Sequence, residues 1–409
     1  MPTSNTERPG LISIETSPLP EDYRAHTGYQ RLALFGQYFD LTVLKPSSRS
    51  ICETLLGNAR VVDFRGFERL SRTLNVGLFY FWALFVLRRY RHTGAAVCTT
   101  TGWPALVGIL AARLYGLRWV YSIWDDPFLD AHYNRQLGKH LKAWVYWLRG
   151  RLTARFHRCA NVVILNMHPE ALAGIDIQPP VLIQATNGHD CETPVPELSR
   201  EEEPRRTVHV LYVGVVSAPR GCDLLVRAVS GLRREGLDIV LDLVGPLCEQ
   251  FAAAVRSTLG GDAGWCRLHG PAAHPDCLGY IEAADVCVFP FPDTGELRYI
   301  YPIKVLEYMA LGRPIVASRL VGVAELVTED YDAACFEAGN VADCEAVLRR
   351  VITDVDFARR LGRNAQETAP KYRWQDINQR IAAELAEVLT GTGVTAACSR
   401  EIAQQRTGT

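Results

Sequence analysis

Short apolar runs rich in β-branched residues alternate along this chain with stretches whose apolar positions recur every three or four residues. The first pattern marks strands and the second helices. GLISIE (10–15), DLTVLK (40–45) and AAVCTTTG (95–102) read as strands, and ALVGILAARLYG, closed by Gly116, reads as a helix. RWVYSIWD (118–125) returns to strand, which completes a βαβ unit. An amphipathic stretch from Arg135 to Arg158 follows, then the strand NVVILN (161–166), a small helix, and VLIQATNGHD (181–190). PVPELSREEEPRR (194–206) has prolines, charges and no apolar period, as a linker or exposed loop does.

Beyond that segment the alternation restarts. VHVLYVG (208–214), DIVLDLVG (238–245), DVCVFPF (285–291) and RPIVAS (313–318) are strand-like. Between and after them stand the helical CDLLVRAVSGLRREG (222–236), CEQFAAAVRSTLGG (248–261), IKVLEYMALG (303–312) and ADCEAVLRRVITD (342–354). Near-continuous apolar strands between helices belong to buried parallel sheets. The fold class is α/β, with two doubly wound Rossmann-like domains, 1–195 and 205–372. A helix over 373–390 can cross back to the first domain, and 391–409 is expected as a disordered tail. In such sheets ligands sit beyond the carboxyl ends of the strands.

Composition narrows the classes. With 409 residues, 48% apolar and 22% charged, the chain is long and apolar enough for two or three globular domains. The net charge of −1 gives no global attraction for nucleic acid, and no recognition module for it is present. The balance is uneven: residues 1–195 hold 21 basic against 15 acidic side chains, and 196–409 hold 23 against 30. Twelve cysteines occur singly, with no Cys-x-x-Cys and no zinc-ligand spacing, which fits free thiols in a reducing cytoplasm. The start MPTSNTERPG has no apolar signal core, and the apolar run Val76–Leu87 is too short to span a bilayer.

Two loops carry candidate chemistry. In YVGVVSAPRGCDLLVRA (212–228), Gly214 ends a strand and Arg220 precedes a helix, where free N–H groups and a guanidinium favour an anion. A plain βα turn with a solvated arginine has the same pattern. No Gly-x-Gly-x-x-Gly follows a strand, and no Gly-Lys-Ser/Thr exists. In DTGELRYIYPIKVLEYMALGRPIVASRLVGVAELV (293–327), Glu307 lies among apolar and aromatic neighbours, a candidate carboxylate for ligand hydroxyls. Pairing with Lys304 on a helix surface is the alternative.

The pattern P-x-K-x-x-E-Y-M-A-x-G-x-P-I-V-A followed by G-x-x-E-L-V resembles the donor-site signature of the family-4 retaining, or group 1, glycosyltransferases of GT-B fold. YVG…RG…LL, LVG, HG…LGYIEAADVCVFP, TNGHD and YRW…I fall in the family's order, specifically over 205–375 and loosely over 10–190. The resemblance implies two domains around a cleft, with a nucleotide-diphosphate sugar held by the second and an acceptor by the first. It implies Arg220 and Lys304 on the diphosphate, the Ile303 backbone facing the phosphates, Glu307 on the ribose and Glu325 near the donor. The family's arginine after the strand glycine is Val215 here. Its first glutamate of a Glu-x₇-Glu pair is Tyr299, with Glu296 the nearest carboxylate, so the sugar contact is altered. Asp125, after Trp124, stands where the family often has an aspartate facing the cleft, with a helix or loop cap as the alternative. No metal or other cofactor is implied, and the leaving phosphate is the favoured base.

The implied acceptor is a glycan or lipid-linked hydroxyl in cell-envelope polysaccharide or glycolipid biosynthesis, with a soluble small molecule as the alternative. A non-catalytic nucleotide-sugar-binding protein is the reading from a different class. Residues 88–158 hold twelve Lys or Arg against three Asp, interleaved with tryptophans. Such a segment suits an anionic membrane surface, with Arg149, Arg151 and Arg155 as expected lipid contacts, on an otherwise cytoplasmic protein.

Overall fold

The computed structural model describes residues 8–15, 27–46, 58–67, 71–124, 131, 135, 139–156, 159–171, 179–191, 207–259, 264–295 and 297–391. Asp125, Glu296, the linker 194–206 and the tail from 392 onward lie outside the described residues. Contacts divide the chain into two compact units: Met1–Thr186 with Trp374–Thr409, and Asn187–Arg373.

The first unit is built on seven parallel strands: β1 (Gly10–Ile14), β2 (Asp40–Pro46), β3 (Arg60–Phe64), β4 (Ala96–Thr100), β5 (Arg118–Ile123), β6 (Val162–Leu165) and β7 (Leu182–Gln184). Their order is β3-β2-β1-β4-β5-β6-β7, so the winding reverses between β1 and β4. Helix α1 (Thr27–Tyr38) packs along α12 (Trp374–Thr390), which brings the chain's C-terminal helix onto this unit. Helix α2 (Arg72–Leu87) lies against α3 (Trp103–Tyr115), and α3 against α4 (His140–Phe156). None of the described helices is long and apolar enough to cross a membrane.

The second unit has six parallel strands: β8 (Val208–Val213), β9 (Ile239–Val244), β10 (Cys266–Gly270), β11 (Val286–Phe289), β12 (Ile315–Ser318) and β13 (Ala334–Phe336). The order β10-β9-β8-β11-β12-β13 places its reversal between β8 and β11. Its helices are α5 (Cys222–Arg234), α6 (Glu249–Leu259), α7 (His274–Ala283), α8 (Ile303–Ala310), α9 (Val321–Ala324), α10 (Val341–Thr353) and α11 (Val355–Thr368). Leu224, Leu225, Ala228, Val229 and Leu232 of α5 recur at helical spacing and are all buried. Each unit is thus a doubly wound, Rossmann-like domain.

Strands β3, β10 and β13 are not predicted by the apolar pattern. All three are sheet edges, as is the predicted β7; β3 and β10 carry polar residues such as Arg60, Asp63 and Arg267, which an edge with one unpartnered side tolerates, and β13 is an apolar run of only three residues, Ala334–Phe336. Lys45 on β2 is buried, and its neighbour in register, Asp63 on β3, pairs with it at 3.0 Å.

Helix α4 corrects the amphipathic reading of 135–158. Its buried face carries Ala143, Arg149 and Thr153, whereas Trp144, Trp147 and Leu148 are exposed. Arg149, expected on a lipid surface, lies over the rings of Tyr146 at 4.8 Å and Trp103 at 5.8 Å. Two aromatic faces hold its charge inside the α3–α4 contact.

Gly108 of α3 packs directly against the indole of Trp119 on β5. A Cβ there would stand 2.2 Å from Nε1 of the fully buried Trp119, which donates to Thr99 Oγ1 at 2.8 Å. Gly108→Ala gains about 1 kcal/mol of helix propensity and loses about 1–3 kcal/mol by forcing the indole off its partner. We expect a lower thermal midpoint by calorimetry, against the order that propensity alone dictates.

Candidate active site

The reversal between β8 and β11 in the second unit gathers the loops after both strands. Gly214, next after β8, has φ +140°, and a Cβ there would lie 2.3 Å from Lys304 Nζ. The positive φ is what requires glycine, and the lysine ammonium lies over the same backbone. The end of β8 is fixed by two phenols: Val213 N–H donates to Tyr308 Oη at 3.1 Å, and Tyr212 Oη donates to the Val215 carbonyl at 3.1 Å.

Arg220 closes the short turn Ala218–Arg220, and its guanidinium stands 4.9 Å from the ring centroid of Phe291, in the loop after β11. Lys304, in the first turn of α8, is also 4.9 Å from that ring and 4.6 Å from that of Tyr212. One aromatic ring therefore carries two cations. Among the described residues no carboxylate lies at ion-pair distance from either. Removal from water, reinforced by the Arg220 charge, pulls the Lys304 ammonium down to about 7. Pro302 caps α8 in extended conformation, so the N–H groups of Ile303 and Lys304 head the helix without intrahelical partners. Two cations and a helix terminus thus face one place, an arrangement chemically suited to an anion.

Glu307 follows one turn later, is buried, and accepts from His274 Nε2 at 2.7 Å. No local signal marks His274, which reaches Glu307 from the start of α7, 33 positions earlier. Burial, with Glu307 nearby, pushes the Cys191 thiol up to about 12, which keeps it protonated.

The remaining predicted residues lie around Tyr301. Glu325 accepts a hydrogen bond from the Tyr301 hydroxyl, and its own carbonyl accepts from Tyr372 Oη at 3.2 Å. Asn187 of the TNG segment donates to the Tyr301 carbonyl at 2.6 Å. Tyr299 is half-buried in the turn Leu297–Tyr299, and Val215 is exposed. Among the described residues no three His, Cys, Asp or Glu side chains converge as metal ligands.

In the first unit the polar groups gather at the carboxyl ends of β5 and β6. Arg31 of α1 is 4% exposed. Its Nε donates to Asn378 Oδ1 at 3.1 Å and its Nη1 to Asn166 Oδ1 at 2.9 Å, with Trp124 stacked at 4.3 Å. Arg31 Nη2, Asn166 Nδ2 and Asn378 Nδ2 are buried donors without acceptors. Burial pulls Arg31 down to about 9, and no carboxylate among the described residues neutralises it. Sequence reasoning missed this cluster because its members are up to 347 positions apart.

Residues 207–354 match the family model of the group 1 glycosyl transferases. A D-inositol 3-phosphate glycosyltransferase of Arthrobacter sp. (strain FB24) is 26% identical over 176 residues, 42% of this chain and 41% of that protein. The sulfoquinovosyl transferase SQD2 of Arabidopsis thaliana is 26% identical over 252 residues, 56% of this chain and 45% of the relative. The chain spans less than half the length of these curated relatives. Among solved structures, HepE of Anabaena in complex with UDP aligns over 92% of this chain and 100% of its own, with TM-score 0.68 and 17% identity. Sucrose-phosphate synthase of Thermosynechococcus elongatus aligns over 94% and 100%, with TM-score 0.68 and 16% identity. The fold is the GT-B fold.

Two outcomes follow from the charges. An anion arriving beside Lys304 raises its pKa, so binding of a nucleoside diphosphate at pH 8 takes up about one proton, and affinity falls by up to about tenfold per pH unit above 7. Calorimetry in buffers of different ionisation enthalpy reads this uptake, and Lys304→Met abolishes it. In the first unit, Asn378→Asp replaces an orphaned donor by a carboxylate against the Arg31 guanidinium. We expect about 1–3 kcal/mol of added stability, seen as a higher thermal midpoint.

Proposed function

We propose that this chain, whose residues 207–354 match the family model of the group 1 glycosyl transferases, is such an enzyme and moves a sugar from a nucleotide-diphosphate sugar to an acceptor hydroxyl with retention of anomeric configuration. The observation that carries this reading is the pair Arg220 and Lys304 over Phe291 beside the head of α8. Cleavage of the anomeric C–O bond leaves its electron pair on the diphosphate and oxocarbenium character on the sugar. Fixed cations and helix-terminal N–H groups stabilise that charge where it develops. The acceptor hydroxyl attacks the same face of the sugar and gives its proton to the departing phosphate oxygen. No protein carboxylate and no metal ion is needed for that step. Glu307, held by His274, would accept hydroxyl hydrogen bonds from the ribose. The UDP held by HepE supports a nucleoside diphosphate in this role.

The first unit would hold the acceptor, a glycan or lipid-linked hydroxyl in polysaccharide or glycolipid assembly. The uncompensated guanidinium of Arg31 favours an acceptor that carries negative charge.

Purified protein incubated with a panel of nucleotide sugars, with and without membrane lipid extract, should release nucleotide in the presence of acceptor, and EDTA should leave the rate unchanged. Arg220→Ala and Glu307→Ala should each weaken nucleotide-sugar binding by about 1.5–3 kcal/mol, or roughly ten- to a hundredfold. Unchanged affinity in both folded variants sinks the donor-site assignment. Binding without turnover across all acceptors makes the chain a nucleotide-sugar-binding protein, and turnover on soluble small molecules alone moves the acceptor off the lipid. EDTA-sensitive turnover restored by a divalent ion overturns the metal-free step.

A further inference from the structure

Helices α2, α3 and α4 form one contiguous layer on the first unit, and that layer is apolar on its outward side. On α2, Leu74, Leu78, Phe81 and Phe85 recur at helical spacing and are all exposed, Phe81 to 75%. The opposite face of the same helix, with Phe79, Ala83 and Val86, is buried, so α2 is apolar on both sides. On α4, Leu141, Trp144, Leu148 and Leu152 make a second exposed stripe, with Trp144 at 57%, while Arg149 and Thr153 face inward. Between them α3 exposes Leu110 and Leu114. A water-soluble helix layer has the reverse arrangement, and exposed apolar area of this extent marks a contact surface.

The charge pattern selects the partner. The sequences of α2, α3 and α4 contain no aspartate or glutamate. Lys142, Arg151 and Arg155 are exposed on α4, Arg113 on α3, and Arg88 and Arg89 just beyond α2. The Arg151 guanidinium lies 5.4 Å from the Trp147 ring, so cation and indole share one place on the surface. Two copies of this face against each other would bring cation to cation without a carboxylate to relieve them. An anionic lipid surface satisfies both features at once, with phosphates for the arginines and acyl chains for the Leu, Phe and Trp stripes. No described helix can cross the bilayer, so contact is limited to its interface.

We propose that the outer face of α2, α3 and α4 docks on an anionic lipid bilayer. This docking is independent of the transfer reaction; only the delivery of a lipid-borne acceptor rests on the glycosyltransferase reading. Arg149 takes no part, because its charge is spent on Trp103 and Tyr146.

The test is co-sedimentation of the full chain with vesicles of phosphatidylcholine plus phosphatidylglycerol, compared with phosphatidylcholine alone, at low and high salt. Wild type should pellet with the anionic vesicles only, release with salt, and show a blue shift of tryptophan fluorescence when bound. Lys142→Glu/Arg151→Glu/Arg155→Glu should weaken binding at least tenfold. Phe81→Ser/Phe85→Ser should weaken it at least tenfold at high salt, where electrostatics no longer mask the apolar term. Nucleoside diphosphate affinity, read by calorimetry in the same preparations, reports on the second unit and separates a failed membrane assignment from a failed donor site. Wild type remaining in the supernatant overturns the proposal, as do both variants pelleting like wild type. Dimerisation in the absence of vesicles that Phe81→Ser/Phe85→Ser abolishes assigns the face to a second copy instead.

Discussion

Two like charges held in one half-buried pocket raise the energy of a folded protein, and the second unit keeps such a pair at the reversal point of its sheet. Arg220 and Lys304 both stand 4.9 Å from the Phe291 ring. The ring's negative faces offset part of the repulsion, and the lysine sheds more by drifting toward neutrality at about 7. Every nearby constraint maintains this arrangement. Gly214 leaves room for the lysine, Tyr212 and Tyr308 fix the strand end, and Pro302 starts the helix on which Lys304 sits. The charge imbalance is preorganised and would be relieved by an anion, the role proposed for a departing diphosphate.

The first unit shows the same economy of charge at a different place. Arg31 has two amide carbonyls and an indole face, and lacks an acidic partner among the described residues. A guanidinium so placed costs free energy that a purely structural residue would not impose. Its position at the ends of β5 and β6 is where a parallel sheet presents ligands. On the outer helix layer the conflict is apolar rather than electrostatic, since Leu and Trp side chains face water while Arg149 is inside. Both features put tension into the unit that binding can relieve.

Periodicity carried most of the architecture. A strand between two others must be apolar along its length, so the central strands of both sheets are visible as short runs, whereas the edges β3 and β10 are broken by polar residues and the three-residue β13 is too short to stand out. Arg220, Lys304 and Glu307 were legible because they are close in sequence to glycines and prolines that only one backbone geometry explains. Their partners were not. His274 meets Glu307 across 33 positions, and Arg31 meets Asn378 across 347.

The sequence by itself determined the two α/β domains, the loops that bear Arg220, Lys304 and Glu307, and the surplus of positive charge in the first domain, because these depend on local spacing and composition. Only the tertiary structure decided which charges are exposed. Arg149 and Arg151 are two residues apart on one helix, yet the first is buried between aromatic rings and the second faces solvent. It also decided that α12 returns to α1 and places Asn378 on Arg31. Helical rotation and long-range packing set these outcomes, and neither is written in the spacing of any one segment.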